Sequence, residues 1–164
     1  MELATFRDMF IAELQELVSV EEQLTECLQR MEDAASHPAL KDALARHGGE
    51  TRMQLDRLVA ILQKHGADPK AHTDQAMQAL AKEAEKMLTL LKGNDLRDAG
   101  LIASAQKLEH YEIAAYGTAA ALAGQLELRP EQKVLHRSLE EEKKFDMLLT
   151  KLAKGEVNPD ALAA

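Results

Sequence analysis

Residues 66–95 read GADPKAHTDQAMQALAKEAEKMLTLLKGND. The stretch opens on Gly66, a left-handed stop for a preceding helix, and continues through an Asp68-Pro69 loop. Thr73 is placed to cap a new helix, in which Met77, Leu80, Ala84, Met87, Leu88 and Leu91 recur three and four apart. The spacing predicts a short amphipathic helix over about 73–92, broken by Lys92-Gly93-Asn94-Asp95. A link of two to eight residues would make the flanking helices antiparallel neighbours, whereas a link of about 28 residues with its own helix can travel the length of a bundle.

On either side of this link lie long helical patterns. The first is expected over 3–34, with Phe6, Phe10, Leu14, Leu17, Glu21, Leu24, Leu28 and Met31 on one stripe. The second is expected over 37–65, with Ser36 as its cap, Pro38 in its first turn and Leu40, Leu44, His47, Thr51, Leu55, Leu58 and Leu62 inward. Gly48-Gly49 inside it predicts a kink or a close backbone approach, since two interior glycines cost about 2 kcal/mol against alanine. A third helix follows over 95–124. Pro130 opens a fourth over 130–154, with Leu135, Leu139, Glu142, Phe145, Leu149 and Leu152 inward, and GEVNPDALAA reads as a loose tail. Four helices on the order of 40 Å long, paired up-down, crossover, up-down, make the expected fold all-α: a ferritin-like four-helix bundle with a long crossover carrying a short extra helix, in one domain over 1–164.

Composition agrees with helix and narrows the function. The 164 residues are rich in Ala, Leu, Glu, Lys and Gln, and no β-branched run reads as a strand. Lys plus Arg is 20 against 28 Asp plus Glu, a formal charge of −8, which argues against nucleic acid and against anionic membrane as partners. No apolar run approaches the ~18 residues of a spanning helix. MELATFRDMF has no basic-then-apolar secretory pattern, and the single Cys27 reads as a core residue beside Val20, Leu24 and Met31; both favour a cytoplasmic location.

The chemistry lies in acids placed among apolar residues. Glu21, Glu50, Glu109 with Glu112, and Glu142 fall within the stripes of the four long helices. His47 stands one turn before Glu50, and Asp146 one turn after Glu142. Glu26, Asp42, Glu127, Glu140 and Glu141 fall off the stripes or near the ends and read as solvated. Burying one unpaired carboxylate costs several kcal/mol, and four would rival the ~5–15 kcal/mol net stability of a domain. Protonation, pairing with Lys or Arg, or a bound metal can each relieve this. Arg52, Arg57 and Lys107 are the nearest bases and plot toward flanks, so two divalent cations are the economical solution. Oxygen donors with at most one or two imidazoles and no thiolate suit iron, with manganese as the alternative. The expected ligand set is Glu21, His47, Glu50, Glu109, Glu112, Glu142 and Asp146, with Glu141 in place of Asp146 if the last helix is rotated. Tyr116, one turn past Glu112, is either a packed tyrosine or a hydrogen-bond partner of the site.

The segments VEEQL (20–24), HGGETRMQLDRL (47–58), LEHYEIAAYGT (108–118) and LEEEKKFDMLL (139–149) resemble the YciE/YciF family of bacterial stress-associated ferritin-like proteins, in order along nearly the whole chain. The resemblance implies a dinuclear, iron-bearing bundle that forms a homodimer. It departs from the broader ferritin-like pattern in carrying His47-x-x-Glu50, reversed from Glu-x-x-His, and Phe145 where a histidine would follow Glu142. Two functions compete: a di-iron protein handling peroxide or iron under stress, with an external reductant because no CxxC pair is present, and a structural bundle whose metal only stabilises it. A cage-forming iron store is a third, with no cage interface legible.

Overall fold

Thr5 starts the first helix by accepting from the Asp8 N–H while the Asp8 carboxylate accepts from the Thr5 N–H, a reciprocal cap. The computed structural model describes residues 3–164. It comprises α1 (Phe6–Ala34), α2 (Pro38–Lys64), α3 (Gln75–Leu90), α4 (Asn94–Gln125), α5 (Arg129–Leu152) and α6 (Asn158–Ala163), with a π-helical turn at Ala153–Val157 joining the last two. Helix α1 packs along α2 and α4, and α5 packs along α4 and α2. The short α3 lies across α1 and α4, so the 66–95 stretch is the crossover of a four-helix bundle.

The turns show why the chain reverses where it does. At the end of α2, Gly66 takes a left-handed φ of 70°, and the Gly66 and Ala67 N–H groups return to the carbonyls of Gln63 and Leu62. The same pattern ends α4, with Glu127 at φ 59° in the position usually held by glycine.

Several local expectations are corrected. Ser36 does not cap α2. The N–H groups of Ser36 and His37 instead donate to the buried Asp98 carboxylate of α4, each at 2.8 Å, so a neighbouring helix supplies the acceptor. Asp74 rather than Thr73 caps α3, accepting from the Met77 N–H at 2.6 Å. Phe6 is 47% exposed, and the inward stripe of α1 begins at Phe10. The tail is not loose: it continues as helix and buries Val157. The glycine pair neither breaks α2 nor answers to a close approach, since a Cβ at either position would meet nothing within 4 Å.

The core is in two parts. One groups Val20, Leu24, Leu28 and Met31 with Leu40, Leu44, Met77, Leu101, Leu108, Phe145 and Leu149. The other groups Phe10, Leu14 and Leu17 with Leu58, Leu62, Tyr116, Ala119, Leu135 and Leu139. Burial of each such Leu contributes about 1.5–3 kcal/mol. Along every long helix the boundary between the two parts falls at a polar residue: Glu21, His47, Glu109 with Glu112, and Glu142. The bundle therefore carries a buried polar layer at mid-height.

Candidate metal centre

Each residue of that layer occupies a position its own helix marks as interior. Glu21 sits between Leu17 and Leu24, His47 between Leu44 and Thr51, Glu109 and Glu112 between Leu108 and Tyr116, and Glu142 between Leu139 and Phe145. All four glutamates are 0% exposed and His47 is 1% exposed. His47, Glu109, Glu112 and Glu142 each present a ligand atom within 4.8 Å of the others. The His47 Nε2 lies 3.2 Å from Glu142 Oε2 and 3.4 Å from Glu109 Oε2.

The surroundings hold these groups in place. The Tyr116 hydroxyl, itself fully buried, donates to Glu21 Oε1. The buried Gln54 amide donates to Glu142 Oε1 and, at 3.1 Å, to Glu141 Oε2. His47 stacks on Phe145, with ring centres 3.8 Å apart and planes 13° from parallel. Its Nδ1 lies 3.2 Å from Glu50 Oε2. With these bonds made, both oxygens of Glu109 and Glu112, and one each of Glu21 and Glu142, remain without a hydrogen-bond partner. Among the described residues no Lys or Arg forms an ion pair with any of the four.

The protonation balance follows. Burial, then the neighbouring Glu142 charge, pushes the Glu21 and Glu112 carboxyls well up. Burial raises Glu109 to about 8, against a downward pull from His47. Burial alone would lower His47, but Glu109, Glu142 and Glu50 overrule it and hold the ring well above the usual histidine range. Burial and Glu21 raise the Tyr116 hydroxyl. Without a cation, the layer holds protons that carboxylates normally lose.

Of the expected ligands, the structure brings His47, Glu109, Glu112 and Glu142 together and places Glu21 beside them. It does not bring Asp146. Four residues past Glu142, about 40° beyond a whole turn, Asp146 has rotated toward α4, where Gln106 donates to it at 3.0 Å and His110 lies at 3.3 Å. Glu50 also stands apart: its side chain is 42% exposed and reaches the layer only through His47. Glu141, read as solvated or as a substitute ligand, is neither. It is largely covered and held by Arg57 at 2.6 Å and Arg137 at 3.2 Å. Gln54 is not among the expected site residues, although a glutamine two turns after His47 on the same stripe is a legible signal.

The donor set fits a metal: converging carboxylates and one imidazole, with free oxygens buried in the interior and no Lys or Arg among the described residues to meet them. His47 has the arrangement common in metal sites, one ring nitrogen toward the acids and the other on a carboxylate.

Comparisons with known proteins agree with this architecture. A family model described as Domain of unknown function (DUF892) matches residues 5–162. Protein YciF of Escherichia coli strain K12 is 41% identical over 162 residues, covering 98% of each chain. The crystal structure of the E. coli stress protein YciF superposes with a TM-score of 0.90 over 95% of this chain and 99% of that one. YcfI from Rhodopseudomonas palustris, a proposed structural protein, is 32% identical with a TM-score of 0.88, covering 91% of this chain and 95% of its own. Matched along its whole length in sequence and in fold, the chain belongs to the DUF892 family, the family of the stress protein YciF.

Proposed function

We propose that the polar layer holds two divalent cations, iron in the first instance, and that the protein handles peroxide or ferrous iron under stress. The observation that carries this reading is the set of partnerless buried oxygens on Glu109, Glu112, Glu21 and Glu142. Two cations bring a charge of +4 to four carboxylates that no Lys or Arg neutralises. Glu109, Glu112, Glu21, Glu142 and His47 would hold them. Iron held there would supply electrons to oxygen or peroxide.

The chain's own residues prepare the site. Glu50 takes the Nδ1 hydrogen of His47, which leaves Nε2 free to coordinate. Phe145 fixes the plane of the ring. Tyr116 and Gln54 each occupy one oxygen of a carboxylate and turn the other toward the centre. The carboxylates give up protons as a cation binds, so loading is easier at higher pH. Any reductant is external, and the family resemblance supports a homodimer, which sedimentation tests. The structural role proposed for YcfI favours a second reading, in which the same cations only stabilise the bundle.

Metal analysis of the purified protein, followed by anaerobic addition of ferrous iron and then peroxide, separates these readings. Two metals per chain and a near-ultraviolet ferric absorption that Glu112→Ala abolishes support chemistry. Metal without such a change supports stabilisation alone, and absence of metal contradicts both.

A further inference from the structure

The donors of the layer are sealed from solvent, so a cation needs a way in. A cavity of about 140 Å³ opens between α2 and α5 and reaches the layer at His47. Ala43, Leu148, the carboxylates of Glu50 and Glu141 and the basic Arg46 and Lys144 line it, and the stacked rings of His47 and Phe145 close its floor. Of the two carboxylates, Glu141 is held by Arg57 and Arg137, which leaves Glu50, partly exposed and bonded to His47, as the one available to an entering cation. The α2 wall is built from an unusual sequence: Gly48 and Gly49 directly follow His47 in mid-helix. Neither has a positive φ, and a methyl group at either would meet nothing within 4 Å, so neither the backbone nor packing demands glycine there. Interior glycines soften a helix relative to alanine.

Resting on the dimetal reading above, we propose that this α2–α5 cleft is the entry path for divalent cations, and that the Gly48-Gly49 pair lets the wall carrying His47 yield to admit them. Floor, wall and first carboxylate all belong to one cleft, and its softest backbone lies beside the one ligand that blocks it. Movement of His47 off Phe145 would open the floor onto Glu109 and Glu142, which lie within 4 Å of the ring nitrogen.

Stopped-flow uptake of cobalt(II), followed by its visible absorption, tests the proposal on the full chain. The double variant Gly48→Ala/Gly49→Ala is expected to melt higher than wild type and bind the same cobalt per chain at equilibrium. It should load about tenfold more slowly, a barrier rise of about 1.4 kcal/mol. Leu148→Phe, which narrows the half-buried mouth, is expected to slow loading with equilibrium binding unchanged. Wild-type rates in both variants overturn the entry path while leaving the metal site standing. Slowing by Leu148→Phe alone overturns the role of the glycines. A wild-type chain that takes up no cobalt overturns the dimetal reading and the path together.

Discussion

Glu131 and Glu112 are the same residue at nearly the same depth, and the molecule treats them in opposite ways. Glu131, 3% exposed at one end of the bundle, meets Lys64 at 2.5 Å and His65 at 3.4 Å, and Lys64 holds its carboxyl below the usual range. Glu141 behaves similarly: burial would raise it, but bonds from Arg57 and Gln54 bring it down. Glu112, 0% exposed at mid-height, meets no Lys or Arg of the described residues, and burial drives its carboxyl up. At Glu131 and Glu141 the fold supplies the counter-charge itself. At the centre it supplies four glutamates and a single imidazole with no Lys or Arg among the described residues, a group that could hold a metal ion.

The comparison can be broken most sharply at Glu112. Glu112→Gln is expected to lower divalent-cation affinity by about a hundredfold or more, while making the metal-free protein more stable by about 1–3 kcal/mol through removal of an unneutralised buried acid. Titration calorimetry with cobalt(II) and urea unfolding of the stripped protein check the two halves. Arg57→Ala is the opposite case. It leaves the largely covered Glu141 with only the exposed Arg137 and the Gln54 amide, and is expected to cost about 2 kcal/mol in urea unfolding with cobalt affinity intact. Equal effects of the two substitutions on cation binding would erase the distinction between the regions.

Glu50 sharpens the comparison, because it stands between the two regions. As the acceptor that orients His47, it is expected to lose about tenfold in cation affinity as Glu50→Ala, and to keep most of it as Glu50→Gln, whose carbonyl oxygen accepts the same hydrogen. A loss in Glu50→Gln as large as that in Glu112→Gln would make Glu50 a direct ligand. The smallest effect is expected from Lys64→Ala. That lysine is 62% exposed, and its ion pair contributes about 0.5–1 kcal/mol, read as a small fall in melting temperature.

How much of this was legible follows from helical geometry. The crossover was readable because a link of such length carrying its own apolar stripe has few other uses in a bundle. Glu21, Glu109, Glu112 and Glu142 could be placed inside because each lies between residues of one stripe. Glu50 and Asp146 could not be resolved in the same way. Three residues from His47 is 60° short of a full turn, and four from Glu142 is about 40° beyond one. Rotations of that size carry a side chain from the interior to a flank without disturbing the pattern around it. The pairing of Glu141 with Arg57 was hidden for another reason: it joins residues on α2 and α5 that only the packed bundle brings together. The capping of α2 by Asp98 of α4 is invisible to local sequence on the same ground.

The mid-bundle acids outnumber the one imidazole among them and meet no Lys or Arg of the described residues, and this has a direct thermodynamic consequence. Glu21, Glu109 and Glu112 have carboxyls raised in the folded state, so their contribution is full below about pH 4.5 and is lost as pH rises toward about 8, the value for Glu109. His47, also raised, acts with the same sign above its ordinary 6.5. Glu131 and Glu141, both lowered, contribute above about pH 4.5 and fail only in acid. Thermal unfolding of the stripped protein across pH 5–8, with and without manganese(II), is therefore the decisive measurement. The melting temperature of the stripped protein is expected to fall with rising pH and to be restored by the cation, with the restoration growing toward pH 8. A stripped protein that is equally stable across that range and indifferent to the cation would contradict this expectation.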